Sequence, residues 1–142
     1  MRPSLLVPAL AGALLLTAAP ASAARTAAVP VDEITVDSTA PLTTTGHPTL
    51  TGSYRCAPAA GPVFLSVSLS QADPRVHHGI GSTSALCDGA THRWTRTATG
   101  TRTYAAGTAH VQVSLVELSA TGLPLPRVHR IAEGTVTLTA AP

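Results

Sequence analysis

The chain alternates apolar and polar residues with a period of two, in short runs that end at proline or glycine. In the run 63–70, Val63, Leu65, Val67 and Leu69 fall on one face, and Phe64 and the serines fall on the other. Successive side chains of a strand point to opposite faces, so this pattern predicts half-buried strands. No stretch of residues 24–142 shows a convincing helical repeat, and turn residues recur about every ten positions. The sequence therefore predicts an all-β fold, a small antiparallel β-sandwich of about seven strands.

Two irregularities in this pattern predict bulges. Gly79 and Gly81 interrupt the less regular segment 75–86, which suggests a bulge or a bend there. In the segment 108–118 the apolar residues change face between Leu115 and Val116, which predicts a bulge inside that strand. The last strand needs a partner, because an open edge rich in β-formers invites aggregation. The clearest strands are expected over 33–37, 49–56, 63–71, 92–98, 108–118 and 129–140.

The N-terminus has the pattern of a secretory signal peptide. Arg2 precedes an apolar run from Leu5 to Ala19, and small residues at Ala21 and Ala23 fit a cleavage site. We expect residues 1–23 to be removed, with cleavage one residue later as the near alternative. The run is too short for a good membrane span, and no cysteine near the cleavage site could carry a lipid. The expected protein is secreted and extracellular without a membrane anchor, with a flexible arm at 24–32 and a single domain at 33–142.

The chain has two cysteines, Cys56 and Cys87. In an exported protein two cysteines most simply form one disulfide, and the alternative is a pair of reactive thiols. Closing a loop of about thirty residues stabilises a fold by about 3 to 4 kcal/mol in the chain-entropy model.

Charge and composition limit the classes of partner. The formal net charge is only +2 at pH 7, which predicts no nucleic-acid groove. The chain contains no Lys and no Asn, a bias typical of a GC-rich bacterium, so we expect an actinobacterial origin. We expect a monomer.

Three histidines, a cysteine and the single tryptophan fall within residues 76–94, which raises the question of a metal or catalytic site. His77 and His78 are adjacent and would point to opposite faces of a strand, so they do not easily share one metal. His92 could approach one of them across a hairpin, which keeps a histidine metal site as an alternative. Our prediction is no metal, no cofactor and no catalytic residue, because no Gly-x-Ser-x-Gly elbow or carboxylate pair is evident.

Trp94 is flanked by Arg93 and Arg96. Tryptophan and arginine are enriched at binding hot spots, so these three residues form a candidate interaction patch. The favoured interpretation is that Trp94 caps the core beside the disulfide, as a lone tryptophan often does.

Six segments together resemble a family of small secreted actinobacterial proteins of unknown function, common in streptomycetes. They are SYRC at 53–56, GPVF at 61–64, VHHGIGS at 76–82, CDG at 87–89, HRW at 92–94 and AGTAHVQVSLVEL at 106–118. The resemblance implies an exported single-domain β protein and assigns no catalytic residue.

Two looser resemblances concern architecture. The chain is similar to immunoglobulin-type sandwiches, which gives an expected fold of an immunoglobulin-like antiparallel β-sandwich with one disulfide. It departs from them in the order Cys56, Cys87, Trp94, where immunoglobulin domains have Cys, Trp, Cys. It also resembles secreted actinobacterial apoproteins that carry chromophores, but it lacks their second disulfide.

These observations favour a non-enzymatic extracellular binding or interaction module. Its partner would be an extracellular protein, a surface or a small ligand, and not nucleic acid. Alternatives are a small-molecule carrier and a histidine metal-binding protein.

Overall fold

The computed structural model describes residues 32–142, so the predicted signal peptide and residues 24–31 of the predicted arm lie outside it. The described chain is all-β, as predicted, and none of its residues forms a helix that could cross a membrane. It has eight strands: β1 (Glu33–Val36), β2 (Thr39–Pro41), β3 (Thr49–Arg55), β4 (Val63–Ser70), β5 (His78–Ala85), β6 (Thr91–Thr97), β7 (Gly107–Leu118) and β8 (Pro126–Thr139).

The strands form two sheets. The three-stranded sheet has the order β1-β3-β6, and the five-stranded sheet has the order β2-β8-β7-β4-β5. All pairs are antiparallel except β2 with β8, which is parallel. The prediction of about seven strands missed β2, because Pro41 and the threonines beside it read as a turn. In the structure the chain leaves the first sheet after Val36 and joins the second at Thr39, so one extended segment supplies an edge to both sheets.

The hydrophobic core lies between the two sheets. The period-two pattern is confirmed in β4, where Val63, Leu65, Val67 and Leu69 are buried and the residues between them, from Phe64 to Ser68, are half-buried. Burying such a side chain stabilises the fold by roughly 1.5 to 3 kcal/mol. The other large buried residues are Ile34, Leu50, Tyr54 and Trp94 from the three-stranded sheet, and Val111, Val113, Leu115, Val136 and Leu138 from the five-stranded sheet.

Both predicted irregularities are present, but one is in a different strand. The β4–β5 register shifts between Val67 and Ser68 and leaves Ile80 as the extra residue, which agrees with the predicted bulge at Gly79 and Gly81. The second shift pairs Leu115 with Arg130 and Val116 with Val128, so the extra residue is His129 of β8. The predicted bulge inside β7 is therefore wrong. β7 keeps its alternation, and its apolar residues change from the core face to the outer face.

The disulfide Cys56–Cys87 is formed, with the two Cα atoms 4.8 Å apart. Cys56 directly follows β3 of the three-stranded sheet, and Cys87 lies two residues after β5 of the five-stranded sheet. The bond therefore ties the two sheets together at one end of the domain. Asp32, assigned to the flexible arm from the sequence, is fixed at the same end, where its side chain accepts a hydrogen bond from the amide of Ala57 at 2.9 Å.

Candidate functional site

The histidines of segment 76–94 do not come together at one site. His92 Nε2 lies 2.7 Å from the Asp88 carboxylate, and its ring is 5.6 Å from the ring of Tyr54. His77 lines a surface depression of about 350 Å³ together with His110 and Glu133. Among residues 32–142 no group of three or more His, Cys, Asp or Glu is arranged to hold a metal ion. The two histidine clusters thus offer pairwise polar contacts and not a metal-ligand set.

The candidate patch of Arg93, Trp94 and Arg96 does not form one surface. Trp94 is only 3% exposed, and its Nε1 donates a hydrogen bond to the Thr35 carbonyl at 3.2 Å. Adjacent residues of a strand point to opposite faces, so Arg93 points outward, where it pairs with Asp37 at 2.7 Å. Arg96 shares the parity of Trp94 and is half-buried. Trp94 is therefore a core residue, and Arg93 and Arg96 lie on opposite faces of β6.

Arg96 crosses the side of the sandwich to β5. A Cβ atom placed on Gly81 would lie 2.2 Å from Arg96 Nε, and Gly81 has φ +139°. Only glycine accommodates both the close approach and this backbone conformation. The arginine is thus a packing contact between β6 and β5 and is not free to bind a partner.

A polar clamp that the sequence did not reveal joins three distant segments. His129 Nε2 lies 2.5 Å from Oε2 of Glu117, and His129 Nδ1 lies 3.0 Å from Oδ2 of Asp32. The amide of Gly61 donates to the other oxygen of Glu117 at 2.9 Å. The three side chains are largely buried. We call Asp32, Glu117 and His129 the clamp; it holds β8, β7 and the start of β1 together.

The hydrogen bonds of the clamp shift the pKa values of His129 and Glu117. The hydrogen bond to Glu117 raises the pKa of His129 above its ordinary value, and Asp32 adds to this while burial opposes it. The Gly61 amide and then His129 lower the pKa of Glu117. A neutral imidazole has one N–H and an imidazolium has two, so only the charged ring donates to both carboxylates.

An apolar row crosses the outer face of the five-stranded sheet. Val116 of β7 pairs with Phe64 of β4 on one side and with Val128 of β8 on the other. Directly paired residues point to the same face and have Cβ atoms about 5 Å apart. Val116 alternates with buried Leu115, so all three face away from the core. Ile131 joins this face, because it pairs with Ser114, and we call Phe64, Val116, Val128 and Ile131 the outer row.

Exposed apolar residues continue along the β7–β8 hairpin to its tip, but Leu125 lies opposite Ser119 and shares a depression with Glu117 and Arg127, so it faces away from the outer row. Val128 is 55% exposed and Ile131 48%, and Leu123 and Leu125 of the tip are also exposed. These are four of the six large exposed apolar residues found among residues 32–142; the other two are Val76 and Leu86. Scattered surface apolar residues need no explanation, but a concentration on one hairpin marks a contact surface.

A polar depression lies beside the outer row on the same face. It encloses about 400 Å³ and is lined mainly by Ser66, Ser68, Ser82, Gln112 and Ser114. Ser66 and Ser68 lie on the polar face of the sheet, as the sequence predicted, whereas Ser70 is fully buried. Sequence reasoning also placed Phe64 on the polar face and noted the change of face at Val116. Both signals pointed to the outer row, but the change of face at Val116 was interpreted as a bulge.

Two sheets, a filled core and one inter-sheet disulfide define a small all-β disulfide-linked domain. The chain belongs to the DUF6299 family, a family of unknown function whose model matches residues 30–141. The expected resemblance to a family of unknown function is confirmed at this level. No curated protein and no solved structure matches the chain.

Proposed function

We propose that this protein is a secreted, non-enzymatic interaction module that binds an extracellular partner through the outer row and the β7–β8 hairpin tip. The observation that carries the proposal is the concentration of Leu123, Leu125, Val128 and Ile131 on that hairpin. Exposed apolar surface is retained where a partner covers it, because it otherwise favours non-specific association. The rigid sheet beneath it would hold the row in place with little ordering cost on binding.

We also propose an immunoglobulin-like architecture for the sandwich. It is supported by the sheet orders β1-β3-β6 and β2-β8-β7-β4-β5 and by the first segment, which contributes β1 to one sheet and β2 to the other. The disulfide at the ends of β3 and β5 is a departure from the pairing typical of immunoglobulin domains.

Secretion and actinobacterial origin belong to the same proposal. Secretion is supported by the leader-like residues 1–23 and by the disulfide, since such bonds persist in oxidising compartments. The origin is supported by a chain free of Lys and Asn and by the six segments that resemble secreted actinobacterial proteins.

A small-molecule carrier is the second candidate function. The polar depression of about 400 Å³ supports it, because several serine hydroxyls and one amide converge there. Such groups suit a hydroxyl-rich ligand more than a flat aromatic chromophore. Native mass spectrometry of the protein secreted by its producing organism tests this function: a reproducible mass excess would favour the carrier, and a bare mass would favour the interaction module.

The proposed function is tested by binding to fractions of the producing organism. The purified secreted protein and its Val128→Ser/Ile131→Ser variant are immobilised, and retained proteins from culture supernatant and cell-surface extract are compared. We expect one partner to be retained by the wild type and lost by the variant, because the variant removes the exposed apolar side chains without touching the core.

Val76→Ser is the matched control. Val76 is 48% exposed, as is Ile131, but it lies in the β4–β5 connection at the other end of the sheet. The control should retain the partner as the wild type does. Equal retention by all three proteins, or by none, would contradict an interaction through the outer row.

A further inference from the structure

The edge strand β8 is open along most of its length. β2 pairs with it only from Thr137 to Thr139, while β7 pairs with its other side from Pro126 to Leu138. No other strand of residues 32–142 pairs with the free side of 126–136. An open edge presents unpaired N–H and C=O groups and is a template for another strand. The bulge at His129 divides this edge, so the longest regular part is 130–136.

The side chains beside this open edge are sorted by face. Val128 and Ile131 lie on the outer face, as their pairing with Val116 and Ser114 shows. Arg130 pairs with buried Leu115 and Arg127 with buried Glu117, so both arginines lie on the opposite face. All four residues are exposed. A strand added here would therefore meet Val128, Ile131 and Glu133 on one face and the two arginines on the other, since Glu133 pairs with Gln112 of the outer face.

We propose that the open edge of β8 binds an extended peptide in which apolar and acidic residues alternate. Main-chain hydrogen bonds to residues 130–136 would give the affinity, as in strand addition to other sheet edges. The apolar side chains of the peptide would extend the outer row, and its carboxylates would face Arg127 and Arg130. No salt bridge within 4 Å is found for either arginine among residues 32–142, although Arg127 lies near enough to Glu117 to help lower the pKa of that carboxyl. This inference rests on the proposed function and specifies the partner.

Charge favours such a peptide over a second copy of this chain. Antiparallel pairing of β8 with β8 around a two-fold axis perpendicular to the sheet keeps each face on its own side. Paired in register over 130–136, it would place Glu133 of one copy directly opposite Glu133 of the other and would bring no carboxylate to Arg130. The two glutamates would repel each other, whereas an acidic strand offers carboxylates to the arginines.

The β5 edge at the other side of the sheet is a poorer candidate. β5 is eight residues long and carries a bulge at Ile80, and Arg96 lies against Gly81 at that side. A bulge and a covering side chain are common ways to protect an edge. Peptide binding at the β8 edge can therefore be compared with binding at the β5 edge of the same protein, where none is expected.

The test uses the mature protein and a fluorescent eight-residue peptide that alternates Glu and Val. Binding is measured by fluorescence anisotropy, and its location is mapped from amide chemical shifts in NMR spectra. We expect shifts at the amides of 130–136 and none along β5. A peptide with Lys in place of Glu should bind about tenfold more weakly, and added salt should reduce the difference. N-methylation of alternate peptide amides should abolish binding if the main chain pairs.

The protein variant Arg127→Gln/Arg130→Glu should reverse the preference and favour the Lys peptide. Arg75→Glu, a charge reversal at an exposed site of the β4–β5 connection, is the matched control and should keep the preference for the Glu peptide. Fluorescence of the single buried tryptophan, Trp94, reports whether each variant is folded.

Three outcomes would overturn the inference: no binding of the Glu peptide, equal binding of the Lys peptide, or shifts along β5. Slow exchange of the amides of Ile131, Glu133 and Thr135 in the free protein would also overturn it, because these amides share the direction of the Thr137 amide that bonds Ser38, and another segment or a second copy would then cover the edge. If the peptide fails while a partner is still lost on Val128→Ser/Ile131→Ser, the proposed function survives and only the strand-addition inference fails.

Discussion

Gly52 of β3 lies directly opposite Trp94 of β6, and a Cβ atom on Gly52 would lie 2.7 Å from the indole Nε1. The same Cβ would lie 2.0 Å from the carbonyl oxygen of Thr35 in β1. Both distances are shorter than van der Waals contact. The indole therefore packs over the backbone of β3, and its N–H reaches the Thr35 carbonyl because no side chain stands between them.

This relationship predicts that Gly52→Ala strongly destabilises the domain. The added methyl group must displace either the indole or β1, and overpacking of this kind costs about 1 to 3 kcal/mol or more. Gly79→Ala is the matched control, because a Cβ there meets nothing within 4 Å. Urea unfolding followed by tryptophan fluorescence measures both variants. Equal free energies of unfolding for the two would show that the close approach is not maintained in solution.

Removal of the indole hydrogen bond is expected to destabilise the fold as well. Trp94→Phe leaves the Thr35 carbonyl without its 3.2 Å partner and leaves unfilled volume in the core. The expected loss is about 1 to 3 kcal/mol, measured by circular dichroism because the variant lacks the fluorophore. Arg93→Ala, next in the chain but exposed and paired only with Asp37, should change the unfolding midpoint little. A larger loss of stability for Arg93→Ala than for Trp94→Phe would contradict the structural role assigned to the indole.

The clamp predicts a stability maximum on the mildly acidic side of neutrality. The raised pKa of His129 gives a contribution that is fully present below about pH 6.5, its unfolded value, and is lost as pH rises through the folded value. The lowered pKa of Glu117 gives a contribution that is present above its unfolded value near pH 4.5 and is lost as pH falls through the folded value. Both contributions coexist between about pH 4.5 and pH 6.5.

Thermal unfolding between pH 4 and pH 9 measures this dependence. The wild type should lose stability as pH rises from about 6.5 through the folded pKa of His129, and His129→Gln should lack that loss. His110→Gln is a control, because no bond between the His110 side chain and a carboxylate is found among the described residues. A wild type and His129→Gln with parallel pH profiles would contradict the assigned role of the clamp.

Loss of the disulfide should lower stability without changing the sheet arrangement. Cys56→Ala/Cys87→Ala opens a loop of 31 residues and is expected to cost about 3 to 4 kcal/mol, or about 10 to 15 °C in the unfolding midpoint. The wild type measured with and without reductant serves as the comparison, since both routes remove the same bond. A reduced wild type that unfolds at the oxidised midpoint would mean that the bond does not constrain the unfolded chain.

Local pattern predicted much of the fold. The alternation in β4 and β3 predicted their strands and their buried faces, because a strand fixes side-chain direction with a period of two. The disulfide followed from the presence of two cysteines in a chain whose N-terminus predicts a signal peptide. β2 was missed because three residues ending in proline carry no periodic signal, and it forms only because β8 offers it an edge.

The candidate site was less accessible from sequence. Trp94 with its flanking arginines has the composition of a hot spot. The structure shows that the indole is buried, because it lies over the backbone of β3 and donates a hydrogen bond to the Thr35 carbonyl of β1. His129 was one of several scattered histidines, and its partners Asp32 and Glu117 lie 97 and 12 residues away. No spacing rule links them, since a β-sandwich joins residues by register and not by sequence distance.

The amino-acid sequence thus determined the all-β class, the buried faces of the central strands and the pair of cysteines available for bonding, because these depend on local periodicity and residue chemistry. The tertiary structure decided which apolar residues remain exposed. Val116, Val128 and Ile131 look like core residues along the chain, but they face outward because β7 keeps its phase and β8 is bulged at His129. Register and bulges are set by pairing between distant strands, so no local pattern could assign Val128 and Ile131 to the surface.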